Sequence, residues 1–385
     1  MESVKEIYTH LKNREDELRN AKDRMIKIVG CSSGGFVPEE LIYAAGGIPL
    51  RLAYGGEDQP IEASLPYAYR WMCPFIRAQM GYKVMKEAPP YYRLIDMFIS
   101  EVSCQHQRRL GDLFQFFTDL PVFKLGIPHR PDTDYALQYY IESLKSLKQR
   151  LEKLTGNVIT DDKLKNAVIL YNRMRCLLRD ISLLRKVQPP VIGGRDFLEL
   201  NHASFVADPL FMADALHSVH QELKKKMDEV SNQKPARILL TGPALAVGDY
   251  KVFELIKEYG GEVVAEEVCE GVRHYWQKVE EKGDNLLHAI GRRYLAARTP
   301  CAFQMPSIRL RLDYMAYLAE EFQVDGIIWY QLKNCETYNA EILYANKRFK
   351  KAGMPFLKLE TDYNPEEKEE LRTPVETFIE GIKRR

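Results

Sequence analysis

Two α/β domains, each a small doubly wound parallel sheet of Rossmann-like or flavodoxin-like kind with a helical insertion between them, are what this 385-residue chain predicts. Three observations predict it. The run Arg93-Leu-Ile-Asp-Met-Phe-Ile-Ser-Glu-Val-Ser-Cys104 is nearly written again at Gln323-Val-Asp-Gly-Ile-Ile-Trp-Tyr-Gln-Leu-Lys-Asn-Cys335, an apolar strand with an early Asp that ends in a cysteine. Strand-like and helix-like stretches then alternate in the same order in both halves, which implies parallel sheets covered by helices. The stretch between the halves has helical periodicity and no strand.

In chain order, residues 3 to 25 read as an amphipathic helix leading into a strand, Met25-Ile-Lys-Ile-Val-Gly30. A Gly-rich loop opens the next helix, with Pro38 in its first turn and Glu39 and Glu40 at its positive end. Gly46-Gly47 stops that helix. Ile48 to Leu52 is the second strand, the Cys104 run the third and Pro121 to Leu125 the fourth. The second copy repeats this order: Ala236 to Gly242, a helix over Tyr250 to Tyr259 stopped by Gly260-Gly261, Glu262 to Glu266, the Cys335 run and Pro355 to Leu359. Helices over Tyr135–Leu154, Asp161–Leu184 and Pro209–Val230 fill the middle, which Gln188-Pro-Pro-Val-Ile-Gly-Gly194 interrupts. The expected divisions are an N-terminal helix (1–25), a first α/β domain (26–132), the helical insertion (133–234) and a second α/β domain (235–385).

Composition excludes more than it assigns. A net charge of +1 with 28% charged residues gives no electrostatic basis for nucleic-acid or anionic-membrane partners. The N-terminus carries acids within a helical pattern, and no apolar run reaches the roughly 20 residues that span a bilayer. A cytoplasmic protein is expected. Its seven cysteines are then reduced thiols, and none forms a C-x-x-C pair.

Six cysteines fall at predicted strand ends or helix starts: Cys31, Cys73 and Cys104 in the first half, Cys269, Cys301 and Cys335 in the second. Cys73 precedes Cys104 as Cys301 precedes Cys335, so four are repeat-equivalent. Cys176 lies inside a predicted helix of the insertion and reads as a packing residue. A lone buried cysteine is ordinarily a small hydrophobe. Six at the carboxyl edges of two facing sheets are instead a set of soft ligands, suited to iron–sulfur clusters or zinc. Helix N-termini help to bear the charge of such a group.

The sequence resembles the 2-hydroxyacyl-CoA dehydratase and benzoyl-CoA reductase family over nearly its whole length. The likeness is carried by Phe36-Val-Pro-Glu-Glu-Leu-Ile-Tyr-Ala-Ala-Gly46 with Pro49 and Arg51, by Cys73-Pro-Phe-Ile-Arg77 and Ser103-Cys104, and by Cys335. Pro355-Phe-Leu-Lys-Leu-Glu-Thr-Asp-Tyr363 and Leu371-Arg-Thr-Pro-Val-Glu-Thr-Phe-Ile-Glu380 complete it. The resemblance implies one [4Fe-4S] cluster on three cysteines, which by position are Cys73, Cys104 and Cys335. Cys31, Cys269 and Cys301 are left over, which is similar to the double-cubane branch, whose [8Fe-9S] unit takes three cysteines per cubane.

The resemblance also implies a low-potential reductase fed by a separate ATP-hydrolysing [4Fe-4S] activator and acting on a small molecule. This chain has no Walker A loop, so ATP hydrolysis would belong to that partner. Gly30-Cys-Ser-Ser-Gly-Gly35 reads as a cluster-supporting loop, with the backbone at Gly30, Gly34 and Gly35 and the hydroxyls of Ser32 or Ser33 aimed at cluster sulfur or substrate. His106, two residues beyond Cys104, is the histidine placed to deliver a proton, ahead of Lys333 and Gln304. A homodimer is expected, because a complete six-cysteine site needs no second kind of subunit. The rival functions are a [4Fe-4S] dehydratase subunit acting on a 2-hydroxyacyl-CoA and a non-catalytic electron-storage or cluster-carrier protein.

Overall fold

The computed structural model describes residues 1–86, 91–229, 234–283 and 285–385. In the first half, β1 (Ile28–Ser32), β2 (Ile48–Leu52), β3 (Met97–Val102) and β4 (Val122–Gly126) pair in parallel in the order β2-β1-β3-β4. In the second, β5 (Ala236–Thr241), β6 (Gly261–Glu267), β7 (Gly326–Leu332) and β8 (Phe356–Thr361) pair in the order β6-β5-β7-β8. The orders are the same, so the duplication is one of topology. In each sheet the strand order reverses beside the first strand, which leaves a crevice at the carboxyl ends where open α/β sheets bind ligands.

Alternate residues of each strand enter different cores, as the two-residue period requires. Ile28, Leu50 and Phe98 of the first sheet and Ile238, Leu240 and Ile328 of the second belong to one apolar cluster. Val29, Cys31, Met97 and Ile99 face the opposite way, into a core built with α2 (Glu39–Ala44), α7 (Asp134–Thr155) and α8 (Asp161–Leu183). Leu239, Ile327 and Trp329 face a third core on the outer side of the second sheet. Each fully buried Ile, Leu or Phe contributes about 2 kcal/mol, so the cluster shared by both sheets couples the halves as well as stabilising each.

The loops after β2 and β5 cross at the centre. Tyr54 bridges Val247, with Val247 N–H donating to the Ala53 carbonyl at 2.7 Å and Gly55 N–H to the Val247 carbonyl at 3.0 Å. Gly56 has φ +82°, and a Cβ there would stand 2.6 Å from the Gly248 backbone, so the crossing admits only glycine.

The insertion consists of α7, α8, α9 (Gly194–Ala203) and α10 (Pro209–Lys225). Thr133, Thr160 and Asp208 cap α7, α8 and α10 through their side chains, as the sequence signals of a helix start require. The helix expected to reach Val230 ends earlier, at Lys225, and Val230 itself lies outside the described residues. Among the described residues no helix is long and apolar enough to cross a membrane.

Two local readings change. The first strand was expected over Met25–Gly30, but α1 (Glu2–Asp23) closes through Met25 at φ +62° with Ile26 N–H on the Ala21 carbonyl, so β1 begins and ends later. Glu39 and Glu40 do more than face a helix dipole. Both are buried: Glu39 pairs with Arg51 at 2.8 Å, and Glu40 takes Arg175 of α8 and the Tyr294 hydroxyl, tying the first half to the insertion.

Candidate metal centre

Five thiols meet in one cavity of about 140 Å³ between the carboxyl ends of the two sheets: Cys73, Cys104, Cys269, Cys301 and Cys335. Three of them stand at helix starts. Cys73 and Pro74 open α4 (Pro74–Val84), Cys104 opens α6 (Gln105–Phe117) and Cys335 opens α15 (Glu336–Lys351). The Cys104 sulfur accepts from Gln107 N–H at 3.4 Å and the Cys335 sulfur lies 3.7 Å from the Thr337 hydroxyl. Three positive helix ends therefore converge on the cavity. Cys269 follows β6 and leads into the short α12 (Val272–Tyr275), and Cys301 sits in a turn that Gln304 fastens by accepting its N–H at 3.0 Å.

The thiols interact. A hydrogen bond with Cys73, then burial, pushes Cys335 well above the ordinary thiol range. Burial, with Cys335 and Cys301 nearby, pushes Cys104 up to about 12. The Cys269 thiol donates to Cys301, which holds Cys301 well below the ordinary range, helped by Arg273 and Arg298. Packing so many sulfurs together, away from water, disfavours thiolates unless a metal supplies positive charge and displaces the protons.

Among the described residues, no three His, Cys, Asp or Glu side chains cluster closely enough for a single metal ion. A cluster asks for something else, because each thiolate ligates a different iron and the donors stand around the group rather than on one point. An all-sulfur donor set around a compact, largely apolar cavity fits an iron–sulfur group.

The remaining predicted residues divide. Ser33, Gly34 and His106 line the cavity. Cys31 does not: it lies within β1 rather than beyond its end, fully buried and facing the outer core with Val29. Burial, with Glu39 beside it, pushes its thiol well above the ordinary range. Ser32 is also inside β1, where its hydroxyl takes Gln107 and Glu101 N–H and serves the sheet. Gly30 packs under Ile95, whose side chain a Cβ would meet at 2.9 Å, so it too belongs to the sheet. Gly35, at φ +79°, turns the loop and presents its carbonyl to Arg298. Lys333 points to Glu367 and Asp362 instead of the cavity. His106 is buried and its Nδ1 accepts Cys73 N–H at 3.1 Å, so the ring's proton sits on Nε2. Burial lowers its pKa, and it stands as a neutral ring beside Cys73.

Sequence reasoning missed the carboxyls and cations around these sulfurs. Glu101 is fully buried, with Oε1 accepting Phe36 N–H at 2.6 Å and Oε2 unpartnered. Glu270 is fully buried, with Oε2 accepting Leu245 N–H at 3.1 Å and Oε1 unpartnered. Both line the cavity, and burial pushes each to about 7. Arg273 reaches the Cys269 sulfur at 3.9 Å from an anchor on Glu267 and the Tyr338 hydroxyl. No motif marks these residues; only their position one to four residues from a strand-end cysteine hints at them.

Against this geometry, the family model described as the 2-hydroxyglutaryl-CoA dehydratase D-component matches residues 35–382, across both halves and the insertion. The chain belongs to this family. Similar proteins include the putative dehydratase subunit YjiM of Escherichia coli K12, 29% identical over 94% of this chain and 93% of that one. The (R)-phenyllactyl-CoA dehydratase beta subunit of Clostridium sporogenes is 22% identical over 92% of each chain. A benzoyl-CoA reductase subunit from Thauera aromatica is 22% identical over 90% of this chain and 89% of that one. Dehydratase and reductase components thus share the family, and the chain is read as an enzyme component.

Proposed function

We propose that this chain is the iron–sulfur component of an ATP-coupled reductase within the dehydratase family, holding an [8Fe-9S] double cubane and taking low-potential electrons from a separate ATP-hydrolysing [4Fe-4S] activator. The observation that carries the reading is the convergence of five thiols, two from the first half and three from the second, on one cavity. Cys73, Cys104 and Cys335 would hold one cubane, while Cys269 and Cys301 would hold the second, Cys31 being packed in the outer core. When bound, such a group supplies one-electron reduction at low potential.

The protein's own groups then do the rest. Apolar walls from Phe75, Ile76 and Phe303 exclude water. Ser33 lines the cavity with Glu270. The unpartnered Oε1 of Glu270 and Oε2 of Glu101 are the atoms at which a proton can be held beside a small substrate. The assembly consistent with a site held within one chain is a homodimer.

The alternative of one [4Fe-4S] cluster on Cys73, Cys104 and Cys335 in a 2-hydroxyacyl-CoA dehydratase subunit is favoured by one observation, the seclusion of Cys31 in the sheet. Anaerobic iron and acid-labile sulfide analysis with EPR separates the two. About eight irons per chain with coupled clusters are expected, and about four with an isolated cubane would establish the alternative.

A further inference from the structure

Arg298 is 3% exposed, and among the described residues no carboxylate forms an ion pair with it. Its Nη1 and Nη2 donate to the carbonyls of Gly35 at 2.6 Å and Gly34 at 3.0 Å, its Nε has no partner, and its guanidinium stacks 4.0 Å from the Phe36 ring centroid. Carbonyl dipoles satisfy its hydrogen bonds but leave its charge uncompensated, and a buried charge without a counter-charge is costly. Its neighbours Arg51, Arg273 and Arg311, equally buried, each have a carboxylate partner. Arg237 and Arg293 are also held by carbonyls, but they face Asp325 and Glu40. Arg298 stands directly behind the cavity wall, because Gly34, whose carbonyl it holds, and Phe36, on which it stacks, line the cavity together with Cys269 and Cys301; burial and the like charge of Arg273 act against it, and Cys301, Glu101 and Cys269 act in its favour. Glu101 is not the missing partner: its Oε1 is taken by the Phe36 and Val37 N–H groups, its Oε2 has no hydrogen-bond partner, and no ion pair joins it to Arg298 among the described residues. The missing negative charge therefore belongs on the Cys269 and Cys301 side of the cavity.

We propose that Arg298 is the fixed counter-ion of an anionic iron–sulfur group bound on Cys269 and Cys301, and that it sets how readily that group accepts an electron. The inference rests on the cluster reading given above. Adding one electron makes the group more negative, and a fixed cation beside it stabilises that product over the oxidised state. The arginine is a positioning residue for charge: it touches loop carbonyls and acts through the field it places on the thiol pair.

The test compares the wild type with Arg298→Lys and Arg298→Met, each purified anaerobically, analysed for iron and sulfide, then titrated with Ti(III) citrate under EPR. With iron retained, the Met variant is expected to show a midpoint shifted to more negative potential and the Lys variant a midpoint near the wild type. Loss of iron in the Met variant with retention in the Lys variant supports the same role, because charge alone then rescues binding. A wild-type midpoint in an iron-replete Met variant would overturn the proposal. So would equal shifts, or equal iron loss, in both variants, since that pattern belongs to the carbonyl bonds and not to the charge. The cluster reading is judged separately on the wild type: only about four irons per chain, bound without Cys269 and Cys301, would overturn both.

Discussion

Cys104 is the cysteine that tests the cavity most directly, since it opens a helix and senses both Cys335 and Cys301. Cys104→Ser or Cys335→Ser is expected to cost at least one cubane, about four irons per chain, whereas Cys176→Ser, in α8 away from the cavity, should leave iron unchanged. Cys31→Ala is expected to keep its iron, because that side chain packs in the outer core; loss of a cluster in this variant would show that β1 rearranges on loading. His202 gives a pH prediction. Both its ring nitrogens are buried without partners, and burial holds its pKa at about 3 against an ordinary 6.5. The unfolded state then binds the proton more readily, so stability present above 6.5 falls as pH drops towards 3. Denaturant titrations of wild type and His202→Gln across that window should show a shallower acid loss in the variant. At this scale the cysteines were legible because a thiol at a strand end is conspicuous in any sequence. Arg273, Arg298, Glu101 and Glu270 were not, because a charged residue next to a strand end reads as surface until burial is known.

Strand and helix order was legible because each half alternates apolar runs with Gly-stopped helices, and β2 occupies the residues expected of it, Ile48–Leu52. The failure at β1 came from its end, which falls at Ser32 and not at Gly30, so that Cys31 and Ser32 lie within the strand and not beyond it. Short helices such as α12 were illegible, since four residues carry no periodicity. The glycine crossing is where the loops after β2 and β5 pair. Gly56→Ala combines a left-handed φ with a Cβ 2.6 Å from backbone, whereas Gly156→Ala has a similar φ of +73° and open space around it. The second should cost only the conformational penalty of about 1–2 kcal/mol, and the first that plus a clash of roughly 1–3 kcal/mol. Thermal melts that rank the two equally would refute the claim that the crossing is tightly packed.

For the whole molecule, the two halves share an apolar cluster and one thiol-lined cavity, so five thiols from both halves converge within a single chain. Under the function proposed above, a centre held on these thiols needs no second, different subunit, which is the basis for expecting a homodimer. The cavity, at about 140 Å³, suits a compact inorganic group. Under the function proposed above, an activator that passes its electron through a short span of polypeptide to a centre bounded by α4, α6 and α15 is expected to dock over these helix starts. If that docking is gated by nucleotide, transfer is expected to depend on ATP turnover even when the chemical reductant is in excess. Anaerobic sizing is therefore expected to give a homodimer, and activator-driven reduction of the centre to require ATP. Obligate co-purification with a homologous but different chain would overturn the first expectation, and equal reduction rates with and without ATP the second.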